Sequence, residues 1–298
     1  VAILQLLERG KLKLDDKLIT YLPKVPYGNE ITIRQLINHT SGIPNPIPLR
    51  WVHLASKHKE FNEQATLDRI LKDNSDISFE PGEKYSYSNI GYWLLGKILE
   101  SITQQTFSEY VQINIIKPMG LNLNDIDFFI HDFSNHAKGY LAKYSFINLL
   151  KGFVTENEVW GDYEKNWLNV KHHYLNGPAF GGLLGSSYSF SKFLQDQLKE
   201  DSVLLNKQTK KQFYIQEKNK HGELIEMTLG WHVSKLQGNR FFFKEGGGAG
   251  YHSEMRLYPA KGIGSIVMVN KTLFNSKKFL NQVDLEFLKN RKANNRIE

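Results

Sequence analysis

The sequence predicts an α/β fold of the α+β kind, an antiparallel sheet flanked by helices, on three observations. Between about residues 33 and 120, apolar side chains recur at helical spacing; Ile90, Trp93, Leu94, Ile98 and Ile102 form the clearest run. From Met227 to Asn270 the chain breaks into short β-rich runs separated by turns, close enough for an antiparallel meander. Phe279 to Phe287 regains helical periodicity and should pack on that sheet.

The chain starts inside an amphipathic helix, Val1 to Gly10, with no N-cap before it and a C-terminal Gly suited to a left-handed turn. Leu12 to Pro23 reads as a short amphipathic turn entered through Asp15 and Asp16. Thr32 and Gln35 have capping-box spacing, so a helix should run from Ile33 to Asn38 and stop at His39-Thr-Ser-Gly42, before the Pro-rich loop Ile43 to Leu49. Phe79 to Tyr85 is a turn into the Ile90 helix; Thr106 and Glu109 form a second capping box, and Pro118-Met-Gly120 ends that block. Residues 141–177 lack clear periodicity but carry seven aromatics, Tyr144, Phe146, Phe153, Trp160, Tyr163, Trp167 and Tyr174, which suit either a wall over a cleft or a surface excursion. A helix carrying Phe190, Phe193, Leu194 and Leu198 precedes the meander.

With 298 residues, 41% hydrophobic, 23 Gly and 9 Pro, the chain belongs with folded globular proteins rather than fibrous or disordered ones. The absence of cysteine excludes disulfides, thiolate metal sites and a Cys nucleophile. The net charge of +7 is spread along the chain and densest from Lys289 to Glu298; it reads as a solvated surface, with no nucleic-acid partner expected. No apolar run is long enough for a transmembrane segment.

Three features sit where chemistry could occur. Tyr87-Ser88-Asn89 lies where a turn enters the long helix, so that Tyr and Asn can face one cavity. Lys244-Glu-Gly-Gly-Gly-Ala-Gly250 joins two predicted strands, its glycines admitting a ligand close to the backbone. His39 to Gly42 forms a tight loop. Taken singly, each has a plain reading: a helix-start aromatic, a hairpin and a satisfied core histidine. His172 and His173 are adjacent and make a poor metal pair, so no metal is expected. No Gly-x-Ser-x-Gly elbow, phosphate-binding loop or His-Glu-x-x-His helix occurs.

In order and context, these features resemble the serine β-lactamase and penicillin-binding-protein family, in the branch of class C β-lactamases, D-Ala-D-Ala carboxypeptidases and related esterases. Six blocks carry the resemblance, among them ITIRQLINHTSGIP, FEPGEKYSYSNIGYWLLGKILE and EGGGAGYHSEMRLYPAKGIGSIVMVN; residues 141–177 are not covered. The resemblance implies a single β-lactamase-related domain, partial at its N-terminus, with a mostly helical lobe at about 33–177 and an α/β lobe from 1–32 plus 178–298. It also implies roles: Tyr87 as general base and acid, Asn89 holding the substrate amide or ester, Lys244 supporting the Tyr and an anionic group, and Gly246 and Gly247 binding substrate on a strand that lines the cleft, with the Gly247 N–H as an oxyanion donor.

The family's Ser-x-x-Lys is expected a few residues upstream of Val1, together with the first strands of the sheet, which would leave this chain without a nucleophile and inactive as it stands. Ser56-Lys-His-Lys59 and Ser189-Phe-Ser-Lys192 share the spacing. The first is followed by a polar segment, and Ser189 is read as a helix N-cap on an exposed edge. The implied activity of the complete protein is acyl transfer or hydrolysis on an amide or ester of a small molecule or peptide, with no cofactor; the alternative is a non-catalytic binding remnant. A periplasmic, secreted or membrane-anchored location is expected from the resemblance, and oligomeric state is left open.

Overall fold

The structure, a computed structural model, describes residues 1–46, 51–151, 157–248 and 250–289. Helix α1 (Ala2–Glu8) buries Leu4 and Leu6 and ends on Gly10 at φ +64°. There the Gly10 N–H donates to the Leu7 carbonyl at 3.0 Å and the Lys11 N–H to the Leu6 carbonyl at 2.9 Å, which satisfies two of the helix's last acceptors. Helix α2 (Leu18–Tyr21) follows, then α3 (Ile33–Ile37), whose capping box is formed: the Gln35 N–H donates to Thr32 Oγ1 at 3.3 Å and the Thr32 N–H to Gln35 Oε1 at 2.9 Å.

Strand β1 (Val52–Leu54) and a 3-10 turn over Ala55–Glu60 lead to α4 (Glu63–Asp73) and then to α5 (Asn89–Thr103). The long helix α5 holds the centre of the core because Ile90, Trp93, Leu94, Ile98 and Leu99 are all essentially inaccessible. Each large apolar side chain withdrawn from water contributes about 1.5–3 kcal/mol. Helix α6 (Phe107–Val111) keeps its Thr106–Glu109 box and runs on, through a wide turn at Gln112–Ile116 and a tight one at Lys117–Met119, to the left-handed Gly120.

Residues 139–175 carry more regular structure than their aperiodic sequence suggests. Strands β3 (Gly139–Ala142), β4 (Trp160–Glu164) and β5 (Trp167–Val170) form an antiparallel sheet ordered β3-β5-β4, with a short helix, α7 (Phe146–Leu149), between β3 and β4. Short strands and a register shift between Trp160 and Tyr163 break the alternation that would have revealed them. Phe153 lies outside the described residues. Strand β2 (Ile126–Asp127) pairs with β7 (Leu184–Gly185), and β1 pairs with β6 (His173–Leu175).

After helices α8 (Ser187–Leu198) and α9 (Lys207–Phe213) comes the meander: β8 (His232–Leu236), β9 (Asn239–Gly248), β10 (Tyr251–Tyr258) and β11 (Ile263–Val269), ordered β11-β10-β9-β8 and antiparallel throughout. The sequence placed the glycine run at a strand end, yet β9 continues through Gly246 and Gly248, paired with Ser253 and Tyr251. Helix α8 covers one face, with Leu194 and Leu198 against Gly264. Helix α10 (Ser276–Lys289) covers the other, where Leu288 joins Phe241 and Tyr258.

The buried stripe of α10 differs from the expected one. Phe279 and Phe287 are 44% and 61% exposed, and Leu280, Asp284 and Leu288, spaced four apart, face inward. A polar residue sits in that stripe because Asp284 Oδ2 accepts from Arg256 Nη1 at 3.1 Å and from the Tyr258 hydroxyl at 2.7 Å. Arg256 Nε also donates to Glu254 Oε1 at 2.6 Å, and Ser276 Oγ donates to Glu254 Oε2 at 2.6 Å. Among the described residues, no helix is long and apolar enough to cross a membrane.

Candidate active site

The loop after α3 and the turn before α5 are stitched together. Gly82 N–H donates to the Thr40 carbonyl at 2.7 Å, Ser78 N–H to the Gly42 carbonyl at 2.8 Å and Ser86 N–H to the His39 carbonyl at 2.8 Å. Gly42, at φ +79°, leaves no room for a side chain, since a Cβ there would sit 2.2 Å from the Phe79 carbonyl oxygen. Ser88 then caps α5 by accepting from the Gly91 N–H at 3.1 Å, which sets Tyr87 one residue before the cap and Asn89 at the first helical position. Asn89 is mostly buried, its backbone N–H donating to Asn45 Oδ1 at 2.9 Å; its side-chain amide has no hydrogen-bond partner among the described residues.

Strand β9 brings Lys244 to the same place. Its Nζ lies 5.9 Å from the Tyr87 ring centroid and 5.4 Å from that of Tyr92, and it has no hydrogen-bond or ion-pair partner among the described residues. Burial without a counter-charge lowers its ammonium to about 8, so it is mostly charged at neutral pH. The two-residue turn Gln237-Gly238, both at positive φ, makes Leu236–Asn239 the closing hydrogen-bonded pair of the β8–β9 hairpin. Counting in twos, Phe243 is the last β9 residue bonded to β8, and Glu245 and Gly247 point their N–H groups the same way, past the end of β8. That leaves the Gly247 N–H directed to the open side of the strand.

Aromatic and imidazole rings complete the cluster. His39 is essentially inaccessible, its ring centroid 4.3 Å from that of Tyr87 and 4.7 Å from that of Tyr92. Its Nδ1 accepts from the Ser88 N–H at 3.2 Å, so the proton resides on Nε2, which has no partner among the described residues. Burial, then the charges of Lys244 and His232, keep this imidazole neutral, well below the usual histidine range. His232, at the start of β8, hydrogen-bonds through Nε2 to the Tyr85 hydroxyl at 3.0 Å; burial and Lys244 lower it to about 4. Burial raises the Tyr87 phenol above its ordinary value and pushes Tyr85 up to about 12. Tyr87 is therefore a neutral phenol in this arrangement, 38% exposed and with no hydrogen bond to its hydroxyl among the described residues.

Tyr87 and Lys244 thus come together from segments more than 150 positions apart, with Asn89 two residues on and Gly246 and Gly247 on the same strand as Lys244. The other two Ser-x-x-Lys matches do not join them. Ser56 is exposed on the Ala55–Glu60 turn. Ser189 is not the helix N-cap on an exposed edge that was expected: Ser186 takes that role, accepting from the Ser189 N–H at 3.1 Å, and Ser189 is buried in the first turn. Sequence reasoning missed Tyr85, Tyr92 and His232. Nothing in the local sequence singles out His232; only the pairing His232↔Phe243 places it beside Lys244. Among the described residues there is no group of three or more His, Asp or Glu that could hold a metal ion.

The family described as Beta-lactamase matches residues 1–288. The chain belongs to that family. It is 28% identical over 262 residues to penicillin-binding protein 4* of Bacillus subtilis, which covers 87% of this chain and 55% of the relative. It is 35% identical over 124 residues to protein flp of Staphylococcus aureus, covering 40% of this chain and 24% of the relative. The chain thus spans little more than half the length of one curated relative and a quarter of the other. Its fold is that of the octameric penicillin-binding protein homologue from Pyrococcus abyssi, at TM-score 0.76, 22% identity and coverage of 99% of this chain and 64% of that one. The D-amino acid amidase from Ochrobactrum anthropi superposes with TM-score 0.76 at 20% identity, covering 97% and 81%.

Proposed function

We propose that this cleft is the acyl-transfer centre of a serine hydrolase acting on amide or ester bonds, whose Ser-x-x-Lys lies outside these 298 residues in the complete protein. The observation that carries the reading is the convergence of Tyr87 and an unpaired Lys244, 5.9 Å from ring to ammonium, in a chain of this family. In the reaction the serine oxygen adds to the carbonyl carbon while its proton passes to the Tyr87 oxygen, which must be a phenolate at that moment and becomes a neutral phenol. The tetrahedral oxyanion is held by the Gly247 N–H and the serine's own N–H. Collapse breaks the bond to the amine or alcohol, which leaves with the proton returned through Tyr87, and water then cleaves the acyl-enzyme by the same route. Lys244 stabilises the Tyr87 phenolate before it takes the serine proton and after it gives that proton to the leaving group, and Asn89 holds the substrate's amide or ester group.

Burial raises the Tyr87 phenol, so this site by itself does not supply a phenolate. A second cation near the hydroxyl is required to bring it into range, and the lysine of the missing motif meets that requirement. The test uses the complete protein, incubated with a fluorophosphonate or a labelled penicillin and weighed intact. One label per chain, mapped to an upstream serine, is the expected result, with kcat reduced about 10²- to 10⁴-fold in Tyr87→Phe. A stoichiometric adduct on Ser56 or Ser189 would overturn the reading. So would the absence of any adduct or turnover, which would leave a binding cleft.

A further inference from the structure

We infer that His39 is a positioning residue that clamps Tyr87 in its working orientation, a role that rests on the reading of Tyr87 as the proton-transfer group. Helices α1 and α3 end in the same hydrogen-bond pattern: after α3 the Thr40 N–H donates to the Gln35 carbonyl at 2.9 Å and the His39 N–H to the Leu36 carbonyl at 3.4 Å. In α1 the left-handed residue of that pattern is Gly10; in α3 it is His39, at φ +58°. A side chain in that conformation is strained where glycine is not, so something at this position outweighs the strain.

The His39 carbonyl accepts from the Ser86 N–H at 2.8 Å, its Nδ1 accepts from the Ser88 N–H at 3.2 Å, and its ring lies 4.3 Å from that of Tyr87. One residue therefore grips the chain immediately before Tyr87, immediately after it, and at its side chain. The left-handed backbone turns the imidazole back over the turn so that all three contacts fall to it. Because the ring is neutral, Nδ1 stays an acceptor for the Ser88 N–H instead of becoming a second donor facing it. Tyr92 closes the other side of the ring at 4.7 Å, its hydroxyl tied to the Ile37 carbonyl at 2.9 Å, so the clamp is anchored to α3.

Two variants separate the contacts. His39→Asn tolerates positive φ and offers Oδ1 near the Nδ1 position, restoring the Ser88 contact without a ring. His39→Phe keeps a ring and removes the acceptor. Amide hydrogen exchange, read on this chain without substrate, should rise at least tenfold at Ser88 in His39→Phe and stay within about threefold of the parent in His39→Asn. In the complete enzyme, kcat should fall at least tenfold in His39→Phe with KM within twofold, recover in His39→Asn, and show no further loss when His39→Phe is added to Tyr87→Phe. If His39→Phe does not fold, His39→Gly, which relieves the backbone, takes its place with the same expected loss of protection at Ser88. Unaltered exchange at Ser88 in the variants lacking the acceptor overturns the clamp. So does undiminished kcat in them when Tyr87→Phe is crippled. A Tyr87→Phe enzyme with full kcat overturns instead the proton-transfer reading and the catalytic role of His39 with it, while Ser88 exchange still decides whether the contact exists.

Discussion

The two faces of the β9–β10 pair solve opposite problems with similar residues. On the α10 face Arg256 is fully buried, yet its guanidinium donates to Glu254, Asp284, Asn281 and the Lys277 carbonyl, so its charge is answered on every side. On the opposite face Lys244 meets the rings of Tyr87 and Tyr92, and neighbouring His39 Nε2 and His232 Nδ1 are buried without a hydrogen-bond partner among the described residues. On the α10 face the buried charges are paired with one another, although Asp284 Oδ1 has no partner there among the described residues. Around Lys244 the buried charge itself goes without a counter-charge among the described residues, which costs stability.

The largest expected effect tests the satisfied face. Arg256→Met removes the cation but leaves the Glu254 and Asp284 carboxylates buried. Uncompensated buried charge of this kind costs about 3–5 kcal/mol, read as a lower urea midpoint at unchanged slope. A loss below about 1 kcal/mol would show that water reaches the network and would erase the contrast between the faces.

The second effect belongs to the cleft and depends on pH. His232 titrates near 4 when folded and near 6.5 when unfolded, so between those values the unfolded chain binds more protons. Stability should therefore fall as the solution is acidified from pH 6.5 to 4, His39 adding to the loss in the same direction. His232→Gln, which can keep the bond to Tyr85, should remove about 2 kcal/mol of that acid loss once solvent screening is allowed for. Parallel pH profiles for parent and variant in urea titrations would take His232 out of the unsatisfied set.

Much of this arrangement is legible in the sequence where a local pattern has a local cause. The capping boxes at Thr32 and Thr106 and the turn at Gly10 form as their spacing indicates, because the partners lie within five residues. Tyr87-Ser-Asn89 and Lys244-Glu-Gly246 stand out for the same reason. The remainder depends on pairing between distant segments. His232 gains its importance from the residue opposite it on β9, and Asp284 is buried because Arg256 and Tyr258 on β10 meet it there. The position of His39 was visible, and it read as a satisfied core histidine. It is in the core but not satisfied, since Nε2 has no partner among the described residues, and its hold on Ser88 required the turn to be folded against it.

The third effect reverses the sign of the first. Lys244→Met exchanges an unpaired half-buried ammonium for an apolar chain of similar length, and should be neutral or stabilise the fold by about 1 kcal/mol at pH 7 while removing activity in the complete enzyme. In the parent, the folded lysine loses its proton near 8 and the unfolded one near 10.5. Stability should accordingly rise with pH across that interval in the parent and stay flat in the variant. Destabilisation by Lys244→Met comparable to that of Arg256→Met would mean that the cleft lysine is structural, and the two faces would no longer differ in kind.

The smallest effect sits at the rim between the faces. Glu245 follows Lys244 on β9 but projects to the α10 side, where its Oε1 lies 2.8 Å from His252 Nε2, which also reaches Ser276 Oγ at 3.2 Å. The pair touches the satisfied network through Ser276, so its geometry alone would suggest that it belongs there. Exposure decides otherwise: the Glu245 side chain is 50% exposed, and an ion pair open to water on one side loses most of its attraction to solvent and salt. Ser276 keeps its stronger bond to Glu254 whether or not Glu245 is charged. Glu245→Gln should therefore shift stability by less than about 1 kcal/mol, with little change between low and high salt. A loss above about 2 kcal/mol, vanishing in molar salt, would instead extend the buried network to the margin of the strand that carries the Gly247 N–H, and would tie the stability of the α10 face to the geometry of the cleft.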